Sequence, residues 1–123
     1  MGRLTTHVLD TTHGLPGAEI KVELYKVNDD STEKLATVIT NSDGRTDAPI
    51  LAGNDFRPGK YQLVFYVADY YKSKGVELDG VPFLDDVVIR FGLDDPEAHY
   101  HVPLLVSPYS FSCLLYTSPS PRD

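Results

Sequence analysis

At 123 residues with 41% apolar content the chain can bury one real core and is too short for two domains. A net charge of -7, with eleven basic residues spread along the sequence, lacks the electrostatic footprint that nucleic acid or an anionic membrane requires. Cys113 is the single cysteine, which excludes an internal disulfide and gives no support to an oxidising compartment.

The chain opens directly into strand-like sequence, with no apolar signal core and no run long enough to span a bilayer, which predicts a soluble, cytoplasmic protein. Leu4 to Asp10, rich in Thr, Val and Leu, is the first predicted strand; it ends in the Gly- and Pro-containing turn Thr11 to Gly17. Ile20, Val22 and Leu24 alternate with Lys21, Glu23 and Tyr25, the pattern of a half-buried strand, and stop at Asn28-Asp29-Asp30-Ser31. Leu35 to Thr40 runs into Asn41-Ser42-Asp43-Gly44, where Asp-Gly predicts a hairpin-like reversal. Tyr61 to Ala68 is apolar on both of its alternating faces and is expected to be covered on each side. One short connector helix is expected from Asp69 to Lys74, with Asp69 as N-cap and Gly75 as terminator. A strand from Leu84 to Phe91, a turn at Gly92 to Pro96 and a histidine-rich strand from Ala98 to Val106 follow. Many short strands with frequent turn signals define an all-β class and an antiparallel sandwich. From Cys113 alternation gives way to a Ser/Pro-rich string. This predicts a domain over residues 1–112 and a disordered end over 113–123, whose sequence is similar to translated sequencing-adapter DNA and foreign to the rest.

Four residues invite chemistry. In an extended chain His99 and His101 point to one face while Tyr100 and Val102 point to the other. Such a pair can move protons, bind metal or hold an anion, or simply decorate an exposed strand. Zinc needs at least three protein ligands, and no Cys or carboxylate stands at a recognisable ligand spacing, so no metal is assigned. His7 shares a face with Thr5 and Leu9, where a buried structural histidine would serve equally well. Arg45 follows the Asp43-Gly44 turn; it either pairs with Asp47 at the surface or presents a planar guanidinium to an anionic ligand. His13, in the Thr-His-Gly turn, reads as a solvated loop residue.

Three segments taken together carry a resemblance: Leu4-Thr5-Thr6-His7-Val8-Leu9-Asp10, Ser42-Asp43-Gly44-Arg45-Thr46, and His99-Tyr100-His101-Val102-Pro103-Leu104-Leu105 with Ser107-Pro108. In this order they resemble the 5-hydroxyisourate hydrolases, the transthyretin-related enzymes of purine breakdown, over a span from about Leu4 to Ser112. The resemblance implies a sandwich of two four-stranded sheets with one short helix, a homotetramer with active sites between subunits, and hydrolysis of 5-hydroxyisourate to 2-oxo-4-hydroxy-4-carboxy-5-ureidoimidazoline without metal or cofactor. It places the catalytic groups on His7, Arg45 and His101, and His99 beside them as a substrate contact. The pattern of that family ends in Tyr-Arg-Gly-Ser; the matching register here reads Leu114-Leu115-Tyr116-Thr117, so that element is missing. A transthyretin-like carrier of small hydrophobic ligands and a non-catalytic interaction module are the competing classes, since fold alone does not fix function.

Overall fold

A computed structural model describes residues 2–76, 80–113 and 116–118, the last three by backbone alone. Two sheets face each other. The first is built on β1 (Arg3–Asp10) and β8 (His99–Val106), flanked by the short strands β2 (Leu15–Pro16), β5 (Leu51–Ala52), β9 (Phe111–Cys113) and β10 (Tyr116–Ser118). The second has the order β4-β3-β6-β7, from β3 (Lys21–Val27), β4 (Thr32–Ile39), β6 (Gly59–Phe65) and β7 (Val87–Leu93). The helix α1 (Val67–Ser73) follows β6.

The all-β sandwich is as expected, with one difference in its central pairing. β1 and β8 lie parallel, in the register Arg3 to His99, Thr5 to His101 and His7 to Pro103, instead of antiparallel. Strict alternation then divides the pair into two faces. Leu4, Val8, Tyr100, Val102, Leu104 and Val106 are buried against Val22, Leu24, Leu63, Phe65 and Val87 of the second sheet. Burial of side chains this size contributes about 1.5–3 kcal/mol each before entropy is charged. The other face carries Arg3, Thr5, His7 and Leu9 beside His99, His101, Pro103 and Leu105, all partly or fully exposed.

Several boundaries move. β6 stops at Phe65, whose partners Val22 and Val87 lie at the starts of β3 and β7, so Val67 and Ala68 begin the helix and do not extend the strand. α1 therefore starts two residues before Asp69, which lies in its first turn and is not a cap. Gly75, in the left-handed region at φ 79°, follows its end as expected. The hairpin of the second sheet falls at Asn28 to Ser31, where Asn28 N–H bonds to the Ser31 carbonyl at 2.8 Å. The Asn41-Ser42-Asp43-Gly44 turn makes no hairpin; it carries the chain from the second sheet across to the first. The β7 strand begins at Val87 and leaves Leu84 in the preceding loop. The stretch from Cys113 begins inside the first sheet, with Cys113 closing β9 and 116–118 paired antiparallel to His101, Tyr100 and His99. Residues 114, 115 and 119–123 of that stretch lie outside the described residues.

Candidate active site

The turn that crosses between sheets delivers Arg45. Asn41 organises it: its side-chain carbonyl accepts from the backbone N–H of Asp43 and Arg45, and its amide donates to Asp47 at 3.0 Å. Asp47 is thereby engaged by Asn41, and no Arg45–Asp47 ion pair forms among the described residues. Gly44 is required twice over. Its φ is +77°, and a Cβ there would lie 2.4 Å from the Val8 carbonyl oxygen. That close approach lets Val8 N–H bond to the Gly44 carbonyl at 2.8 Å, and the next residue, Arg45, forms an antiparallel bridge with His7.

The parallel β1–β8 pairing supplies the rest. His7 and His101 are diagonal neighbours with ring centroids 6.5 Å apart, and His101 and His99 stand 6.3 Å apart along one strand. Thr5, directly opposite His101, places its hydroxyl oxygen 2.8 Å from His101 Nδ1 and 2.9 Å from His99 Nε2. So His7, His99 and His101 share the open face of the sheet, with Arg45 entering from the turn.

The electrostatics favour neutral imidazoles. Burial lowers the His101 pKa below its ordinary 6.5, and Arg45, His99 and His7 lower it further. His7 is lowered by burial and by Arg45, opposed in part by the Asp43 carbonyl and carboxylate. His99 is lowered by burial and by Arg3. A neutral ring keeps a lone pair for proton abstraction near pH 7, and a guanidinium beside it can hold developing negative charge. Among the described residues no three metal-binding side chains are grouped to hold an ion.

Thr5, Asn41 and Arg3 are the groups that sequence reasoning did not single out. Alternation places Thr5 on the His7 face, but its contact with β8 depends on a pairing 96 residues apart in the chain. His13, read as a solvated loop residue, instead holds the buried Asp10 carboxylate through Nδ1 at 2.6 Å.

The fold and these groups define a β-sandwich with a cluster of three histidines and an arginine on the outer face of one sheet. The sequence pattern described as HIUase/Transthyretin family matches residues 4–115, and the chain belongs to that family. It is 61% identical over 112 residues to the 5-hydroxyisourate hydrolase of Pseudomonas aeruginosa, covering 91% of this chain and 89% of that one. Among solved structures, (S)-allantoin synthase superposes with a TM-score of 0.88 at 42% identity, over 94% of this chain but only 43% of that larger one. Sea bream transthyretin in complex with thyroxine superposes at 0.83 with 24% identity, over 95% and 97% of the two chains, a likeness of fold alone.

Proposed function

We propose that this chain hydrolyses 5-hydroxyisourate, opening its ring in urate breakdown, with His7, Arg45 and His101 as the catalytic groups and His99 contacting substrate. The observation that carries the reading is the convergence of His7, Arg45 and His101 from three distant segments onto one exposed sheet face. In this reaction water adds to the attacked ring carbonyl, the cyclic amide C–N bond breaks, and the released nitrogen takes a proton. A neutral His101 or His7 removes the water proton, and the other orients water or protonates the leaving nitrogen. Arg45 binds the anionic, oxygen-rich substrate and stabilises charge building on the carbonyl oxygen. Every group the reaction needs is then a side chain, so the mechanism calls for neither metal nor cofactor.

The site lies on an open face on which Leu105 is also exposed, and a homotetramer would enclose it between subunits. We place the enzyme in the cytoplasm, consistent with its lone cysteine; no helix among the described residues is long and apolar enough to cross a membrane. Residues 1–112 form the catalytic domain in this reading, and the end from Cys113 replaces the Tyr-Arg-Gly-Ser element. A carrier of small hydrophobic ligands would have no use for a guanidinium and three imidazoles on its binding face.

The test is ultraviolet decay of freshly generated 5-hydroxyisourate. The chain, and more strongly a version with Leu114→Tyr, Leu115→Arg, Tyr116→Gly and Thr117→Ser, should accelerate the decay. His101→Ala in that version should lose about 10²–10⁴-fold, the usual worth of a positioned acid or base. No acceleration by the four-residue variant would remove the hydrolase and leave the carrier.

A further inference from the structure

Thr5 is the side chain that ties the two histidines of β8 to each other. Its Oγ1 is within hydrogen-bond distance of His99 Nε2, at 2.9 Å, and of His101 Nδ1, at 2.8 Å. A hydroxyl has one proton to donate and lone pairs with which to accept. Between two neutral rings it can donate to only one, and must accept an N–H from the other. The tautomers of His99 and His101 are therefore coupled. When Thr5 donates to His99 Nε2, His101 carries its proton on Nδ1 and its Nε2 is bare. In the reverse arrangement His101 carries its proton on Nε2 and has no lone pair left for a base to use.

The choice between the two turns on which His101 nitrogen is left unpaired. Nδ1 of His101 is committed to Thr5, and Nε2 has no hydrogen-bond partner among the described residues, so Nε2 is the nitrogen left for the cleft. Arg45 is a donor-only cation whose charge acts on the His101 ring. Such a charge favours whichever tautomer turns a lone pair, and not an N–H, toward it.

We propose that Thr5 is a positioning residue that accepts the Nδ1–H of His101 and donates to Nε2 of His99, holding His101 with a bare Nε2 as the general base. His99 enters the chemistry as the acceptor that keeps the Thr5 hydroxyl turned the right way. The inference deepens the hydrolase reading and rests on it for the meaning of the bare nitrogen, while the coupling itself concerns only the three side chains. His7 is then the group left to orient water or to protonate the leaving nitrogen.

Two variants separate the hydroxyl from the shape of Thr5: Thr5→Val keeps a β-branched strand residue and removes the hydroxyl, and Thr5→Ser keeps the hydroxyl. Ring ¹⁵N shifts read the tautomer directly, at a pH above 7 where the imidazoles are neutral. The Nδ1–H form of His101 is expected in the unmodified chain and in Thr5→Ser, with loss of that preference in Thr5→Val. In the 5-hydroxyisourate assay Thr5→Val should lower kcat about 10–100-fold, by analogy with losing a partner that orients a metal-bound histidine, with KM little changed. Thr5→Ser should restore most of it. An Nε2–H tautomer at His101 in the unmodified chain, or an unchanged tautomer and kcat in Thr5→Val, overturns the proposal. If neither the chain nor its four-residue C-terminal variant accelerates the reaction, the hydrolase reading falls, and the ¹⁵N shifts alone decide whether the coupling exists.

Discussion

Two polar clusters ride on the same pair of strands, and they differ in how completely their groups are used. At the end of β1, on the inner face, Asp10 is 1% exposed, and its carboxylate accepts from the Tyr70 and Tyr71 hydroxyls, His13 Nδ1 and the backbone N–H of Thr12 and His13. Tyr71 also donates to the Val106 carbonyl on β8, so the cluster pins the helix to both strands. On the outer face, His7, His99 and His101 are only partly buried, and the nitrogen of His101 not held by Thr5 has no partner among the described residues. A saturated cluster lowers the energy of one conformation, and an unsaturated one keeps donors and acceptors for something that arrives later. The same residue type thus does two jobs: His13 completes a carboxylate's shell, while His7 and His101 face outward with capacity unspent.

The sharpest break of that comparison is a pair of alanine substitutions, one in each cluster. His7→Ala should cost about 10²–10⁴-fold in turnover, or roughly 3–5 kcal/mol of barrier, and leave the unfolding midpoint within a few degrees. Asp10→Ala should do the reverse in kind, destabilising the fold by about 1–3 kcal/mol because it strands the buried Tyr70 hydroxyl, while Tyr71 keeps the Val106 carbonyl. Denaturant titration and the decay assay, run on both variants, check the crossing. A His7→Ala chain that unfolds as readily as Asp10→Ala would mean the outer cluster is also structural.

A smaller effect comes from pH, and the two clusters should respond in different windows. Burial and neighbouring cations lower His7, His99 and His101 from 6.5, so an unfolded chain takes up these protons first as pH falls. Their contribution to stability is complete above 6.5 and declines as pH drops from there through the lowered folded values. Activity should fall along the same limb, as the base form is lost. Burial raises the Asp10 carboxyl, but hydrogen bonds from His13, Tyr70 and Tyr71 outweigh it, and the net shift is below 3.8. Its contribution persists above 3.8 and is lost only as pH falls through the folded value. Activity should therefore decline well before the acid unfolding transition, and coincident transitions in the two measurements would merge the clusters into one unit.

Much of the outer cluster is legible in the sequence because period-two alternation is a local property. Spacing alone puts His99 on one face with His101, and Thr5 on one face with His7. What stays hidden is the pairing of β1 with β8, whose residues are separated by most of the chain and whose parallel sense no local pattern encodes. The Asn41-Ser42-Asp43-Gly44 turn shows the same limit: Asp-Gly announces a reversal, but the crossing to β1 depends on the close approach of Gly44 to Val8. Glu23 illustrates it for burial. Alternation puts Glu23 on the polar face of β3, yet it is 3% exposed, and bonds from the Tyr66 and Tyr25 hydroxyls and Lys34 hold its carboxyl down to about 2. Those partners come from the residue that follows β6, from β3 itself and from β4, so no short window along the sequence contains them.

The smallest effect tests whether a histidine at the saturated end matters to the reaction at all. His13 donates to Asp10 at 2.6 Å with about a third of its side chain exposed, so solvent can take over much of what it provides. Replacing it by Gln keeps a hydrogen-bond donor, and Asp10 retains both tyrosine hydroxyls and the backbone N–H of Thr12 whatever the new side chain does. The expected loss is under about 1 kcal/mol, the range of a partly exposed polar pair. Turnover should be unchanged, because His13 makes no contact with Thr5, His7, His99, His101 or Arg45 among the described residues. A His13→Gln chain that folds normally but turns over several-fold more slowly would show that the Asp10 cluster reaches the outer face along β1. The division between a structural and a chemical end of the strand would then give way to one network spanning both faces.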